Sequence, residues 1–377
     1  MIQVLVLGAD GFLGRNLAVS LKTLAGVQVA SIDVHTPEAE RDHALQQADV
    51  IFHLAGMNRP THPDEFRKGN VELTAELCGK LRKFGRAPTL VFSSSIQAAL
   101  DNPYGTSKRE AEEVLLRFGA DNGAAIRIYR LRNVFGKWCR PDYNSVVATF
   151  CHHIANDEGI QISDPARELE LVYVDDVTQA FLNELSIPFA SHAPPEIPFF
   201  KITLGDLAGR IQSFHDMRHN LLAPDFAVPF NQQLYATYLS YGPDAARHQQ
   251  LAVKSDQRGG LAEFIKSHHF GQIFISRTRP GITRGNHYHH TKTEKFFVVE
   301  GRGVIRMRPI QSSAVLEYRV RGEAFQVIDI PPGFTHSIEN IGEGDLVTLF
   351  WADQIFDPDR PDTYFLPVLA AAESPAR

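Results

Sequence analysis

The first residues whose types and spacing could perform chemistry are Tyr104 and Lys108, four positions apart. On a helix these two side chains share one face. A cation beside the phenol lowers the pKa of the tyrosine, which suits a proton donor to a carbonyl that accepts a hydride. A serine triplet at 93–95 could offer a hydroxyl to the same carbonyl oxygen. The alternative is a solvated helix face in which the spacing occurs by chance.

A second feature is a glycine-rich turn, in which Gly8, Gly11 and Gly14 follow an apolar segment. Glycines permit a sharp turn and let backbone N–H groups approach a pyrophosphate, while the following helix N-terminus adds positive potential. Asp33 ends the next apolar segment, where a carboxylate can accept the ribose hydroxyls of an adenosine. The pattern predicts a dinucleotide site; the alternative is an ordinary strand–turn–helix connection.

A third feature is a set of possible metal ligands. His287 and His289 point to the same side of a strand, because strand side chains alternate. With Glu294 and His336 they make three imidazoles and one carboxylate, a set that suits zinc, iron, manganese or nickel. An isolated pair of histidines is more often a surface feature. His290 should face the other way, so we leave it out of the set.

The elements that must position these residues differ between the two halves of the chain. Up to about residue 180, apolar strand-like segments alternate with helix-length segments, which predicts a parallel sheet covered on both faces. From about residue 251, short strand-like segments separated by glycine and proline predict an all-β sandwich or barrel. We predict domains at 1–244 and 245–370, with a linker at 242–246.

Composition excludes several classes of protein. The 377 residues are 44% hydrophobic and 22% charged, which is typical of globular chains. The net charge of −6 leaves no basic surplus for nucleic acid, and no apolar run is long enough to span a membrane. The three cysteines are too widely spaced for a disulfide framework. We expect a soluble cytoplasmic protein with no nucleic-acid partner and no membrane insertion.

Over residues 1 to about 240, the chain resembles the extended short-chain dehydrogenase/reductase family. The motifs are the glycine turn, the tyrosine–lysine pair and the segments at 53–56, 132–136 and 173–177. The resemblance implies a Rossmann fold in which Tyr104 is the general acid/base and Lys108 binds the nicotinamide ribose and lowers the tyrosine pKa. It implies Ser95, or alternatively Ser94, as the substrate-orienting hydroxyl, and Asn133 as a substrate-binding residue. The implied cofactor-binding residues are Gly8, Gly11, Phe12, Leu13, Gly14, Asp33, Leu54, Ala55, Gly56, Tyr104 and Lys108.

The C-terminal half resembles the cupin family through both of its motifs, GxxxxxHxHxxxxExxxxxxG and PxGxxHxxxN. The resemblance implies a double-stranded β-barrel from about 250 to 365, with zinc as the expected metal. The implied ligands are His287, His289, Glu294 and His336. One departure is Phe325, which stands where the second motif has a glycine and so affects a turn and not a ligand.

The segment at 256–263 resembles the DxRGxxxE segment of the sugar-nucleotide 3,5-epimerases of the cupin class. The resemblance implies that Arg258 binds the diphosphate of the substrate, for which the bidentate geometry of a guanidinium is suited. The alternative is a β-turn with a solvated arginine.

Over residues 1 to about 366, the chain resembles the CapF-type family of capsular polysaccharide enzymes, the UDP-2-acetamido-2,6-dideoxy-L-talose synthases. The segments that carry the resemblance are 93–98, 101–105, 135–139, 143–146, 285–292 and 361–366. The resemblance implies two steps on a UDP-4-keto-6-deoxy-HexNAc substrate: the cupin domain epimerises C3, and the reductase domain then reduces C4. The product leads towards N-acetyl-L-fucosamine in capsule or O-antigen synthesis. We also expect a homodimer or higher homo-oligomer.

Three alternatives stay open. Relatives of this type are expected to use NADPH, but Asp33 would repel a 2′-phosphate and no arginine follows it, so NADH is competitive. A metal could stabilise the C3 enolate, or it could only stabilise the barrel while Tyr288, His290 or Lys295 transfers the proton. The other candidate functions are a UDP-sugar epimerase or dehydratase with recycled NAD and an accessory cupin, and a sensor that kept both folds.

Overall fold

The computed structural model describes residues 1–187, 193–243 and 247–369. The chain forms two compact units. The first comprises Met1–Gln212 and Gln232–Pro243, and the second comprises Ser213–Asn231 and Asp244–Arg377. The predicted first domain, 1–244, includes Ser213–Asn231, whereas in the structure this segment belongs to the second unit. Residues 244–246 of the predicted linker lie outside the described residues.

A five-stranded sheet with the order β2-β1-β3-β4-β5 organises the first unit, and each adjacent pair of strands is parallel. The strands are β1 (Ile2–Leu7), β2 (Val27–Ile32), β3 (Val50–His53), β4 (Thr89–Ser95) and β5 (Ile126–Leu131). Every residue of β3 and β4 is buried, as a parallel sheet covered on both faces requires. The predicted α/β class of this half is confirmed.

Helices cover both faces of this sheet. The helices between residues 12 and 183 are α1 (Phe12–Leu21), α2 (Glu38–Gln47), α3 (Asp64–Phe66), α4 (Leu73–Lys83), α5 (Pro103–Asn122), α6 (Val146–Ala155) and α7 (Val174–Asn183). Leu77 of α4 and Leu115 of α5 pack in one apolar cluster, whereas Leu17 of α1 and Phe181 of α7 pack in another. A π-helical turn, Arg67–Glu72, joins α3 to α4.

A smaller sheet with the order β6-β7-β8 completes the first unit. Its strands are β6 (Asn133–Phe135), β7 (Glu168–Tyr173) and β8 (Phe200–Thr203), followed by the helices α8 (Leu204–Asn220) and α9 (Pro229–Leu239). Arg127 of β5 and Glu184 form a buried ion pair with an N–O distance of 2.6 Å, which ties β5 to the segment after α7. Within the described ranges, none of the helices combines the length and apolar character that a bilayer crossing needs.

Two antiparallel sheets form the second unit, with the orders β16-β13-β18-β11-β10-β9 and β15-β14-β17-β12-β19. The strands are β9 (Val253–Asp256), β10 (Gly259–Ser267), β11 (Gly271–Thr278), β12 (Thr283–Tyr288), β13 (Glu294–Glu300), β14 (Arg302–Pro309), β15 (Leu316–Arg321), β16 (Val327–Ile330), β17 (Phe334–Asn340), β18 (Leu346–Ala352) and β19 (Tyr364–Phe365). Phe296 and Phe350 from the first sheet and Ile305 and Ile338 from the second meet in one core. The predicted all-β class of this half is confirmed.

Phe325 adopts a backbone conformation that usually favours glycine. Its φ is +48°, in the left-handed region that a phenylalanine rarely occupies. The ring is exposed and stacks on Phe297, with 6.2 Å between the ring centres. The turn before β16 is therefore retained without a glycine.

Candidate active site and metal centre

The N-terminus of α5 positions Tyr104 beside Ser95. Asn102 caps the helix, because its Oδ1 accepts a hydrogen bond from the Gly105 N–H at 2.8 Å. A Cβ on Gly105 would collide with the carbonyl oxygen of Gln97, so the glycine lets the helix approach the turn after β4. The Ser95 hydroxyl lies close enough to the Tyr104 hydroxyl to act on its pKa. The structure thus brings two of the predicted catalytic residues together.

Lys108 lies one turn further along α5 and is only 5% exposed. Its Nζ donates a hydrogen bond to the carbonyl oxygen of Ser93 at 3.0 Å and lies 4.7 Å from the ring centre of Phe92. Burial lowers the pKa of Lys108 to about 8, and the nearby carboxylate of Glu112 acts in the opposite direction. The ammonium group is therefore held at the end of β4.

The pKa of Tyr104 differs from the expectation based on the sequence. Burial raises this pKa, and the hydrogen bond with Ser95 opposes the shift only in part. The expected lowering by Lys108 is wrong for this structure, in which the ammonium group is bonded to the Ser93 carbonyl. A phenol with a raised pKa stays protonated at neutral pH, which is the form that a proton donor needs.

Ser94 belongs to a different set of contacts. Its hydroxyl donates to the carboxylate of Glu112, which also accepts a hydrogen bond from Arg130 Nη2 at 2.6 Å. Ser94 and Glu112 are both buried. Of the two serines considered as the substrate-orienting residue, the one whose hydroxyl reaches Tyr104 is Ser95.

The glycine-rich turn joins β1 to α1 and admits no larger residue at two positions. Gly8 has a φ of +83°, and a Cβ there would lie 2.7 Å from the Ala55 nitrogen. A Cβ on Gly14 would collide with the carbonyl oxygen of Gly8. Gly11 precedes the helix, Phe12 begins it, and Leu13 packs on the apolar cluster of that face. The N-terminus of α1 is therefore brought close to the end of β1, where a pyrophosphate can meet its N–H groups.

Asp33 follows β2 and contacts the same turn. Its Oδ2 accepts a hydrogen bond from the Asp10 N–H at 2.8 Å, and its Oδ1 accepts one from the Val34 N–H at 2.7 Å. The carboxylate is thus fixed beside the glycine-rich turn, at the strand end where the sequence predicts the adenosine ribose.

The segment after β3, with Leu54, Ala55 and Gly56, links the glycine turn to Lys108. A Cβ on Gly56 would lie 3.3 Å from Lys108 Nζ, so the glycine leaves room for the ammonium group. Asn70 braces this segment, because its side chain bonds the Met57 N–H at 2.9 Å and the Met57 carbonyl at 3.0 Å. Asn70 lies in the π-helical turn, and no local sequence pattern identifies it.

Asn133 lies exposed at the start of β6, where it is paired with Leu171 of β7. The hydrogen bonds in the described part of the chain do not connect it to Tyr104 or Lys108. Its role as a substrate-binding residue stays a prediction.

In the second unit, three strands bring the predicted ligands together. His287 of β12 is paired directly with His336 of β17, and their ring centres are 4.6 Å apart. His289 follows β12, and Glu294 begins β13. One potential ligand atom from each of these four residues lies within 4.8 Å of the others. The register of the strands thus creates the cluster that the sequence spacing predicts.

Three polar atoms of this cluster are buried and have no hydrogen-bonding partner: His289 Nε2, Glu294 Oε2 and His336 Nε2. Both nitrogens lie 3.2 Å from Glu294 Oε2, but not in hydrogen-bonding geometry. Burial alone would raise the pKa of Glu294, yet the two imidazoles hold it below its usual range. Burial lowers the pKa of His287 to about 4. Two imidazole nitrogens and a carboxylate oxygen that converge without hydrogen-bonding partners fit a divalent cation.

A cavity of about 210 Å³ opens onto this cluster, and His287, Glu294 and His336 line it. Arg258 and Arg284 also line the cavity. Arg258 is paired with Asp256 at 2.6 Å, and Arg284 Nε donates to Thr278 Oγ1 at 3.0 Å. Burial and the charge of Arg258 lower the pKa of Arg284. Arg284 was not predicted, because a spacing of three places it and His287 on opposite faces of a regular strand. The register shift between Gly285 and His287 in β12 is the irregularity that lets both residues line the cavity.

The three residues considered for C3 proton transfer lie elsewhere. Tyr288 stacks on Tyr364 with ring centres 5.3 Å apart, and His290 packs against the same tyrosine at 4.7 Å. Lys295 is paired with Asp329. Tyr288, His290 and Lys295 are not among the residues that line the cavity.

Two family models match the chain. The NAD dependent epimerase/dehydratase family matches residues 4–192, and the polysaccharide biosynthesis C-terminal domain matches residues 254–364. A relative in Pseudomonas aeruginosa, UDP-2-acetamido-2,6-beta-L-arabino-hexul-4-ose reductase, is 42% identical over 96% of this chain and 98% of its own length. The spore coat polysaccharide biosynthesis protein SpsL of Bacillus subtilis is 25% identical over 33% of this chain and 89% of its own length.

A solved structure is similar over nearly the whole chain. The capsular polysaccharide assembling protein CapF from Staphylococcus aureus has a TM-score of 0.90 and 42% sequence identity. The match covers 97% of this chain and 100% of that one. The similarity therefore extends through both units and both groups of candidate residues.

The close packing at Gly14 generates a prediction about dinucleotide binding. Gly14→Ala should weaken the binding of NADH by at least about tenfold, or about 1.4 kcal/mol, because the new Cβ would displace Gly8. Fluorescence titration of the full-length protein measures the Kd. The matched control is Gly79→Ala in α4, where a Cβ meets no atom within 4 Å and binding should be unchanged. Equal affinity of both variants for NADH would contradict the assignment of the turn.

Proposed function

We propose a two-step function for this chain, which belongs to the NAD-dependent epimerase/dehydratase family. It is a bifunctional nucleotide-sugar enzyme: the second unit inverts C3 of a UDP-2-acetamido-2,6-dideoxy-4-hexulose, and the first unit reduces the C4 ketone with NAD(P)H. The product is UDP-2-acetamido-2,6-dideoxy-L-talose, towards N-acetyl-L-fucosamine in capsule or O-antigen synthesis. The observation that carries the proposal is that one chain holds both a tyrosine–lysine–serine group and a histidine–carboxylate cluster at an arginine-lined cavity.

The order of the two steps follows from the chemistry of the ketone. A C4 carbonyl acidifies the proton on C3, because the charge left by its removal delocalises onto oxygen. The enolate can then be reprotonated on the opposite face, which inverts C3 without any net change in oxidation. Reduction of C4 removes the carbonyl and ends this possibility. Epimerisation must therefore precede hydride transfer.

Tyr104 would donate a proton to the C4 oxygen as C4 is reduced, and a bound reduced nicotinamide would supply the hydride. The raised pKa of Tyr104 supports this role, since the group is protonated at neutral pH. Ser95, whose hydroxyl is close enough to Tyr104 to act on its pKa, orients the same oxygen. Lys108 is the group that binds the nicotinamide ribose, and its fixed position on the Ser93 carbonyl supports that assignment. Asn133 remains a proposed contact to the sugar nucleotide.

The co-substrate is a reduced nicotinamide dinucleotide. Support for NADH over NADPH comes from Asp33, whose carboxylate is fixed at the glycine turn and would repel a 2′-phosphate. The segments at 8–14 and 33–37 contain a second carboxylate, Asp10, and no lysine or arginine. The unphosphorylated ribose, whose hydroxyls can donate to a carboxylate, is the better match.

We assign a divalent metal, zinc, to the cluster in the second unit. The proposed ligands are His287, His289, Glu294 and His336. When bound, such an ion supplies a Lewis acid that stabilises negative charge on an enolate oxygen. Arg258 and Arg284 support binding of the UDP diphosphate in the same cavity, because guanidinium groups pair well with phosphate oxygens.

A cytoplasmic location and a homo-oligomeric state complete the proposal. Support for the first is the substrate class, which is made from cytoplasmic nucleotides and reduced cofactor, and the presence of three cysteines that are all free thiols.

Tyr104→Phe separates the two steps. The variant should lose about 10²–10⁴-fold in the rate of ketone reduction, because it has no phenolic proton to donate. Incorporation of solvent deuterium at C3 should continue, since the cluster in the second unit is unchanged. NADH oxidation and NMR of the sugar measure the two steps on one sample. Reduction at the wild-type rate would show that the proton donor is another group.

His287→Ala combined with His336→Ala tests the cluster. Purified wild-type protein should carry about one divalent metal per chain, and the double variant almost none. Deuterium incorporation at C3 should disappear with the metal, and any reduced product should keep the unepimerised C3. The matched control is His290→Ala, an adjacent histidine outside the cavity, which should retain both metal and exchange. Equal metal content in wild type and double variant would refute the site.

Asp33→Ser tests the choice of dinucleotide. Removing the carboxylate should lower the preference for NADH over NADPH by at least about tenfold, because the repulsion of a 2′-phosphate disappears. Dissociation constants of the two binary complexes, measured by fluorescence, give the ratio. Asp121→Ser, at an exposed carboxylate near the end of α5, should leave the ratio unchanged. A wild type that binds NADPH more tightly than NADH would overturn the assignment.

A further inference from the structure

After β18 the chain returns to β12, the strand that carries the proposed ligand His287. We call residues 361–368 the C-terminal strap. Within it, β19 pairs with β12, so that Phe365 lies opposite His287. The Leu366 N–H donates to the carbonyl oxygen of Asn286 at 2.8 Å, and the Val368 N–H donates to Asn286 Oδ1 at 3.2 Å. The strap therefore covers the edge of the sheet beside a proposed ligand.

One strap residue, Asp362, holds the loop between two proposed ligands. Its Oδ1 accepts a hydrogen bond from the His290 N–H at 2.9 Å. Its Oδ2 accepts from the N–H groups of Thr291 and Lys292 at 3.0 and 3.2 Å, and from Thr291 Oγ1 at 2.9 Å. This single carboxylate thus binds three successive backbone N–H groups of the loop that joins His289 to Glu294.

The backbone of Asp362 also contacts a proposed ligand directly. Its carbonyl oxygen lies 2.5 Å from His289 Nδ1, and a carbonyl can only accept, so this nitrogen carries the proton. The lone pair of His289 is then on Nε2, the buried atom that converges on Glu294 and lacks a partner. A hydrogen bond of this kind fixes both the tautomer and the ring orientation of a ligating histidine.

Asp362 makes these contacts in an unfavourable conformation. Its φ is +38°, close to the left-handed region, which is uncommon for residues other than glycine, asparagine and aspartate. Such a conformation persists only where the surrounding contacts over-determine it. The five hydrogen bonds on the carboxylate and carbonyl of Asp362 supply that constraint.

We propose that Asp362 is a positioning residue for the metal cluster: its carbonyl orients His289, and its carboxylate holds the loop that separates His289 from Glu294. The proposal rests on the metal site assigned under the proposed function. It gives a role to the segment at 361–366, one of the segments that carry the resemblance to the CapF-type enzymes. In this proposal the strap positions two metal ligands in addition to pairing with the edge of the sheet.

Asp362→Asn is the test variant in the full-length protein. Asparagine tolerates positive φ and keeps the backbone carbonyl, but an amide N–H₂ replaces one acceptor oxygen. Affinity for zinc, measured by chelator competition, should fall by about 10–100-fold. The absorption spectrum of the cobalt(II)-substituted protein should also change, because the coordination geometry is no longer held. Asp362→Gly, which relieves the backbone conformation, should show the same loss.

The matched control is Asp357→Asn in the same C-terminal region, whose carboxylate accepts from the Asp359 N–H and from Arg360. This variant should bind zinc as the wild type does. If Asp362 is merely structural, Asp362→Asn should lower the melting temperature of the metal-free protein but leave the zinc affinity and the cobalt spectrum at saturation unchanged. That result would overturn the proposal. If the wild type binds no metal, both the metal site and this proposal are refuted. The assignment of the reductase step would be unaffected, because the Tyr104→Phe experiment tests it separately.

Discussion

Three buried polar atoms without partners are the constraint on which the second unit depends. Leaving His289 Nε2, Glu294 Oε2 and His336 Nε2 unsatisfied costs free energy, since each has given up water for no hydrogen bond. The atoms come from three different segments, so only the correct register of β12, β13 and β17 brings them together. A cation bound among them would remove the cost. Binding of a metal at this cluster would therefore stabilise the folded unit.

The arrangement of the candidate catalytic residues in the first unit depends on one face of α5. Tyr104, Lys108 and Glu112 follow one another at every fourth residue of α5, and each contacts a different member of the serine triplet at the end of β4. Tyr104 meets the Ser95 hydroxyl, Lys108 meets the Ser93 carbonyl, and Glu112 meets the Ser94 hydroxyl. The helix and the strand are thus registered by three polar contacts. The buried Glu112 binds the Ser94 hydroxyl, and the buried Lys108 binds the Ser93 carbonyl. The Ser95 hydroxyl is therefore the one that remains beside Tyr104.

The two sites suit successive steps on one ketone. The cavity of the second unit has two guanidinium groups beside a cluster that fits a cation. The guanidinium groups suit a dianionic nucleotide, and a cation would suit a developing enolate. The first unit has a protonated phenol beside a glycine-rich turn and no cation cluster of this kind in its described part. The chemical difference explains why two domains are needed: stabilising an enolate and delivering a hydride require different electrostatic surroundings.

The sequence by itself determined the features that depend on local spacing. The Tyr104–Lys108 pair, the His287–His289 pair and the two fold classes follow from periods of helices and strands, which a short stretch of chain already expresses. The glycine turn follows from a local motif, and Glu294 and His336 join the histidine pair through the resemblance to the cupin motifs. Only the tertiary structure decided the features that depend on contacts between distant segments. It placed Ser95 beside Tyr104, raised the tyrosine pKa by burial, brought Arg284 to the cavity and joined Asp362 to His289. Burial and long-range hydrogen bonds exist only when the chain is folded, so no local pattern could reveal them.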